Sequence, residues 1–336
     1  MRVTVKAHAR LHFGFIDPDG SSGRKFGSIG LAIDTPALMI EATPADGLSV
    51  TGKERGRVLA LARRFLRHYN LRQGAHIAVK TTIPAHAGLG SGTQLALSVA
   101  AALARLFSIQ ADVRDLAAVM GRGGRSGIGI AAFERGGFIV DAGRKTASSG
   151  ECRVSSRLKQ RGAWSVERTP PTIVRYAFPK EWTFVVAIPR VAHGLAGTAE
   201  INAFHRLGGR SAGAAGRLSR ILLMQMLPSV LEGDPVVFGE SLTTIQRIVG
   251  AWFRPAQGGT FATAQGAALI KAMSRAGALG VGQSSWGPAV YGLAKDREMA
   301  GSIMVKLGEV VPAQIEAHIF PARAFNHGAA ISLSSL

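Results

Sequence analysis

Pro84–Leu103 reads PAHAGLGSGTQLALSVAAAL. Three glycines, Gly88, Gly90 and Gly92, fall within five positions, and an almost wholly apolar stretch follows. Glycine admits positive φ and close backbone approach, so successive N–H groups can converge on an anion. A helix starting near Ser91 would add its free N–H groups and positive dipole end at the same point. The hydroxyls of Ser91 and Thr93 are further donors. The stretch therefore predicts a phosphate cradle over 84–93 leading into a buried helix from Leu95 to Phe107. No G-K-[ST] follows, and the loop is not a G-x-G-x-x-G after a first strand, so neither generic nucleotide label applies. On the residues alone, a glycine turn ahead of a core helix remains the alternative.

Ala75–Pro84 (AHIAVKTTIP) reads as a strand running straight into the loop, and Glu54–Asn70 has helical periodicity with arginines on its outer face. Arg2–Ile16 alternates as a strand, and Ile29–Thr43 contains two apolar runs split at Pro36, with Asp34 as a turn residue. Between them Asp17–Ser28 (DPDGSSGRKFGS) reads as a flexible loop carrying Arg24 and Lys25. A short helix around Asp112–Met120 precedes a second glycine-rich segment, which ends in a strand with Asp141. Arg144–Thr172 is polar and irregular, the expected domain junction. Glu181–Arg190 opens the second domain as a strand, and His193 sits in the irregular HGLAG segment after it. Helical patterns cover 198–207, 217–231, 238–253 and 262–278, with Met224, Met226 and Leu227 as core residues. Gly280–Gly292 (GVGQSSWGPAVYG) is a glycine loop opening a strand, and a last helix and the strand Ala313–Phe320 close the order. This is a mixed α+β arrangement, divided into domains 1–175 and 176–336.

With 336 residues, 47% of them hydrophobic and 18% charged, the chain can bury two cores. Apolar runs such as Leu95–Ala104 reach about half the length of a bilayer span, and MRVTVKAHARLHFGF lacks the apolar centre of a signal peptide. The expectation is a cytoplasmic protein without a membrane partner. The single cysteine, Cys152, excludes an internal disulfide framework. Forty basic against 21 acidic residues give +19, yet the basic residues are scattered, and no zinc-finger spacing, RNP-like aromatic cluster or basic zipper is present. The charge predicts a polyanionic small molecule over nucleic acid, and a non-catalytic nucleic-acid binder is the reading from another class.

Pro84–Thr93 resembles the second motif of the GHMP superfamily of small-molecule kinases, P-x-x-x-G-L-G-S-S-A. Ala9–Asp17 (ARLHFGFID) resembles its first motif and Gly280–Gly292 its third, in the right order. That resemblance implies a two-domain fold, ribosomal-protein-S5-like at the N-terminus and ferredoxin-like at the C-terminus. Mevalonate-type members carry S-G-x-D, whose aspartate supports proton removal. Here Ser126-Gly127-Ile128-Gly129 puts glycine there, and Gly92 replaces the second serine of the phosphate loop. A glycine cannot act as a base. Arg10–Asp17, Gly23–Ile33, Gly88–Leu97 and the Ile245–Gly259 segment together resemble one branch, the β-ribofuranosylaminobenzene 5′-phosphate synthases. That branch condenses 5-phosphoribosyl 1-diphosphate with 4-hydroxybenzoate or 4-aminobenzoate, releasing carbon dioxide and pyrophosphate, at the start of the arene arm of methanopterin-type cofactors.

Under that resemblance Gly88, Leu89, Gly90, Ser91, Gly92 and Thr93 supply donors to the diphosphate, with Arg24 and Lys25 gripping phosphate. Mg²⁺ is expected, with Asp17, Asp19 or Asp141 as ligands. His12 and Asp17 are the candidate catalytic residues, and Ser284, Ser285 and Trp286 line the arene. A homodimer is expected from the family. An ATP-dependent kinase acting by positioning alone is the runner-up.

Overall fold

The computed structural model describes residues 1–20, 22–146, 169–190, 212–311 and 314–335. His193, Cys152, the 198–207 pattern and most of the 144–172 junction lie outside them.

Strand β1 (Arg2–Asp17) buries Val3, Val5, Ala7, Ala9, Leu11 and Phe13 on one face. This period of two leaves Arg10 and His12 together on the other face. It pairs antiparallel with β2 (Arg24–Ala45), which takes in both apolar runs and Pro36. β2 is a single strand because its outer edge changes partner. Ser28–Leu31 pair with β5 (Phe138–Asp141), and Met39–Ala45 pair with β4 (Gly74–Thr81), leaving Pro36 between the two ladders where no N–H is required. Arg24 and Lys25 are strand residues paired to β6 (Arg144–Lys145), which corrects the flexible loop expected there. β3 (Ser49–Gly52) runs parallel to β4, and β7 (Thr172–Tyr176) pairs with β5.

Helix α1 (Arg55–His68) and α2 (Ser91–Leu106) cover this sheet, and α2 is buried nearly all round, as its composition demands. Two short helices, α3 (Val113–Val119) and α4 (Ile128–Glu134), complete the layer.

The second sheet holds β8 (Thr183–Pro189), β9 (Gly280–Gln283), β10 (Val290–Ala294) and β11 (Ala317–Arg323) in the antiparallel order β11-β8-β10-β9. With α8 (Ala264–Arg275) and α9 (Arg297–Val310) as crossovers, this is the ferredoxin-like arrangement. Between β8 and α8 come α5 (Ala212–Ile221), a π-helical turn over Leu222–Met226, α6 (Leu227–Glu232) and the long α7 (Pro235–Gln257). Met226 and Leu227 are buried here, whereas Met224 is 70% exposed: the π turn carries it to the outer face. α7 packs on both β1 and β9, so it joins the two sheets. The chain crosses the expected 175/176 division once more at its end, where β12 (Ala330–Ser334) pairs with Arg2–Lys6 of β1.

Candidate active site

Gly88 and Gly90 both take φ near +82°. At Gly88 the requirement is also spatial, since a Cβ would stand 2.2 Å from the Ser284 carbonyl oxygen. Gly90 caps α2 without a side chain, and its carbonyl accepts the N–H groups of Thr93 and Gln94 at 3.0 and 3.1 Å. The amides of Ser91 and Gly92 belong to the first turn of α2, where the carbonyls of Ala87 and Gly88, four residues back, accept from Ala289, Arg10 and Ser284 instead. Leu89 is buried and anchors the turn, and its carbonyl accepts Arg10 N–H at 3.1 Å. The Arg10 guanidinium donates to the Gly88 carbonyl and stacks within 3.1–3.4 Å of where a Gly90 side chain would begin. Gly92 is helical and serves another purpose: a Cβ there would stand 3.4 Å from Arg57 Nη2 and 3.5 Å from Arg122 Nη1.

The third glycine loop is sewn to this cradle. Ser284, fully buried, donates from Oγ to the Gly88 carbonyl at 2.7 Å and accepts His12 N–H at 3.0 Å. Ser285 N–H donates to the His12 carbonyl at 3.0 Å, and Ala289 N–H to the Ala87 carbonyl at 3.1 Å.

Beside the clasp lies a small, partly open pocket with a free volume of about 30 Å³. β1 contributes His12, Gly14 and Phe15, α7 contributes Gln246, Val249, Phe253 and Gln257, and the glycine loop contributes Gln283, Ser285 and Trp286. Trp286 meets Phe253 edge-on at 4.5 Å, an apolar wall. Gln246 accepts Gln283 N–H at 2.9 Å and donates to the Phe13 carbonyl, and Gln283 donates to the Ser285 carbonyl at 2.9 Å, so the amides brace the wall. His12 is 3% exposed, and neither ring nitrogen has a hydrogen-bond partner among the described residues. Burial, and then the neighbouring Arg10 charge, push its pKa well below the ordinary 6.5. At neutral pH it is an uncharged imidazole in the pocket lining, with one donor and one acceptor nitrogen, both buried.

The structure thus gathers Gly88–Thr93, His12, Ser284, Ser285 and Trp286, with Ser284 acting as the clasp and Ser285 and Trp286 as pocket lining. It does not gather the rest. Arg24 donates to the carbonyls of Ala142 and Gly143 at 2.7 and 3.0 Å, a structural staple. Lys25 lies over the Phe26 ring at 5.5 Å, beside the aromatic cluster of Phe15, Phe253 and Trp286. Asp17 accepts Asp19 N–H, Gly20 N–H and Ser22 Oγ–H, closing the turn after β1. Asp141 is fully buried and accepts Gly127 N–H at 2.7 Å and Gly143 N–H at 2.8 Å, and burial raises its carboxyl to about 6. The oxygens of both carboxylates are engaged by turns, and among the described residues no three of His, Cys, Asp and Glu gather as metal ligands. Asp17 and Asp141 each close a turn, and the cations near the cradle are guanidinium groups.

The position of the kinase aspartate is closed as well. A Cβ on Gly129 would stand 3.1 Å from Thr93 Cγ2, and Gln94 donates to the Gly129 carbonyl at 2.8 Å. Arg10, Arg57, Arg122 and the Gln246–Gln283 brace escaped the sequence reading. Only Arg10 left a signal, standing two residues before His12 on an alternating strand.

The GHMP kinases N terminal domain family matches residues 56–137 and the GHMP kinases C terminal family residues 226–313. A beta-ribofuranosylphenol 5′-phosphate synthase from Methanothermobacter thermautotrophicus is 36% identical over 320 residues, covering 92% of this chain and 94% of that one. The protein of the same name from Archaeoglobus fulgidus is 34% identical over 293 residues, 87% of each chain. In fold, a homoserine kinase from Cytophaga hutchinsonii superposes with a TM-score of 0.66 at 19% identity, over 98% of this chain and 97% of that one. The L. major mevalonate kinase in complex with R-mevalonate gives 0.66 at 16% identity, over 95% of each. The chain is an enzyme that belongs to the beta-ribofuranosylphenol 5′-phosphate synthase family, built on the two-domain GHMP kinase fold.

Proposed function

We propose that this chain joins the anomeric carbon of 5-phosphoribosyl 1-diphosphate to 4-hydroxybenzoate, releasing carbon dioxide and pyrophosphate, as a step towards a methanopterin-type cofactor. The observation that carries the reading is an aromatic-walled pocket holding a neutral, unpartnered His12, tied through Ser284 and the β1 backbone to a phosphate cradle. The hydroxyl form of the arene is chosen because the relatives are named for a ribofuranosylphenol product.

The chemistry follows from the two ends. The bond from ribose C1 to the diphosphate breaks with its electron pair going to pyrophosphate, and the cradle amides and Arg10 meet the charge that develops there. The ring carbon bearing the carboxylate supplies a π pair to C1, forming the carbon–carbon bond. His12 accepts a hydrogen bond from the phenol as its oxygen pushes electrons into the ring, holding that proton at the acceptor nitrogen. The pair of the carboxylate bond returns to the ring as carbon dioxide leaves, aromaticity is restored and the proton returns to the oxygen. The apolar wall of Phe253 and Trp286 shields the electron-poor sugar carbon from water. Cytoplasmic residence and a homodimer complete the reading, and light scattering tests the second.

The decisive experiment incubates the protein with 5-phosphoribosyl 1-diphosphate, carboxyl-labelled 4-hydroxybenzoate and Mg²⁺. Label should leave as carbon dioxide in step with pyrophosphate. No release from either benzoate, or turnover of ATP with a hydroxylated acceptor, would overturn the reading.

A further inference from the structure

Outside the glycine loop, two arginines from different parts of the chain, Arg57 and Arg122, converge on the first turn of α2, and a third, Arg64, packs beside the segment that carries Arg122. Arg57 and Arg64 lie on α1, and Arg122 follows α3. The terminal nitrogens of Arg57 and Arg122 stand 3.4 and 3.5 Å from the point where a side chain on Gly92 would begin. Arg64 packs against Gly121 next to Arg122, with nitrogens 3.0 and 3.1 Å from the equivalent point there. Glu54 pairs with Arg57 at 2.7 Å, and Arg64 Nε donates to the Val119 carbonyl at 2.6 Å. The Nε of Arg122 is sealed from solvent and has no hydrogen-bond partner among the described residues. Burial, and then the charges of Arg57 and Arg64, lower its affinity for its proton.

Like charges packed beside the positive end of a buried helix repel one another, and Glu54 offsets that of Arg57. An arrangement of this kind becomes favourable when an anion with several charged oxygens enters it, because each guanidinium can present a fork of donors.

The geometry points to Arg57 and Arg122 as the residues that hold the departing diphosphate, bridging it to the first-turn amides of α2 over Gly92. They are specificity-determining residues for a diphosphate leaving group, and this identification of the anion rests on the pentosyl-transfer reading above. A Cβ at position 92 would meet both at ordinary contact distance, so the arginine pair borders the very position at which this chain departs from the kinase motif.

Calorimetric titration of the full chain with inorganic pyrophosphate, in the presence of a chelator, tests this without turnover. Arg57→Gln and Arg122→Gln should each weaken pyrophosphate binding about ten- to a hundredfold, the range for losing a charge-assisted contact. Arg122→Lys should recover part of the loss, and Arg105→Gln, at the far end of α2, should bind as the wild type does. Melting temperature should hold or rise in Arg122→Gln, since the substitution removes repulsion; if that variant fails to fold, Arg57→Gln and Arg122→Lys carry the test. Wild-type affinity in both glutamine variants, or no pyrophosphate binding by the wild type, overturns the inference. Bound pyrophosphate should be displaced by phosphoribosyl diphosphate and not by ATP at equal concentration; displacement by ATP alone overturns the assignment to the leaving group. If labelled carbon dioxide is never released while the arginine variants still lose pyrophosphate, the anion site stands and the pentosyl-transfer reading falls.

Discussion

The phosphate end and the arene end of the site meet at Ser284, yet they are made of opposite materials. The phosphate end is backbone: amides at the head of α2, glycines at φ near +82°, and guanidinium groups brought in from β1, α1 and the segment after α3. The arene end is side chain: Phe253, Trp286 and an uncharged His12, braced by two glutamines. A diphosphate carries its charge on many oxygens and rewards fixed donors, whereas an arene rewards shape and area. The cradle is therefore written in a local turn, whereas its arginines and the apolar wall come together only in tertiary packing.

The harshest way to break this division is at the joint. Gly88→Ala puts a Cβ 2.2 Å from the Ser284 carbonyl on a residue held at φ +82°. Release of labelled carbon dioxide should fall about a thousandfold or more, with a stability loss of about 2–4 kcal/mol by thermal melting. Wild-type turnover in that variant would mean that the two ends work independently. His12→Asn should lower kcat roughly a hundredfold and leave pyrophosphate affinity untouched. Trp286→Ala opens the apolar wall. It should raise KM for the benzoate about tenfold and cost about 3 kcal/mol, again with pyrophosphate affinity unchanged. Loss of pyrophosphate affinity in either variant would dissolve the distinction. Arg24→Ala, removing two bonds to carbonyls, should cost about 1–2 kcal/mol while KM for phosphoribosyl diphosphate stays within twofold. A raised KM at constant melting temperature would return Arg24 to the substrate.

Proton linkage adds a second comparison, because two buried groups, Asp141 and His12, titrate in opposite senses. Asp141 titrates at about 6 in the folded chain against an ordinary 3.8. Between those values the folded state keeps a proton that the unfolded chain has lost, so its contribution to stability falls as pH rises through that window. His12 works the other way: below 6.5 the unfolded chain takes up a proton that the buried imidazole refuses, so stability falls as pH falls. Between about pH 4 and 6 the two slopes oppose each other, each at most about 1.4 kcal/mol per pH unit. In urea denaturation His12→Asn should gain stability relative to wild type as pH is lowered through this range, and Asp141→Asn should lose it. Shifts in the same direction would contradict one of the two assignments.

How much was legible follows the same line. The cradle could be read because Gly88-Leu89-Gly90-Ser91 sets its own backbone geometry and the helix behind it is apolar. His12 could be reached because strand alternation fixes which face it shares. Asp17, Asp141 and Arg24 misled because a charged residue beside glycines reads as a ligand, while in the fold the turns' own N–H and carbonyl groups claim it first. Arg57 and Arg122 were invisible: each lies about thirty residues from the loop, in segments whose patterns report only a solvated helix face and a glycine turn. Their meaning exists only once α1 and the end of α3 pack beside α2.

The pairing of Ala330–Ser334 with Arg2–Lys6 also sets a timetable. More than three hundred residues separate Arg2–Lys6 from Ala330–Ser334, so a nascent chain carries an open edge on β1 until that distant partner strand is made. Removing β12 would make that interval permanent. The expected symptom is chains associating edge to edge while the chemistry, assembled on the opposite side of β1's register, stays intact.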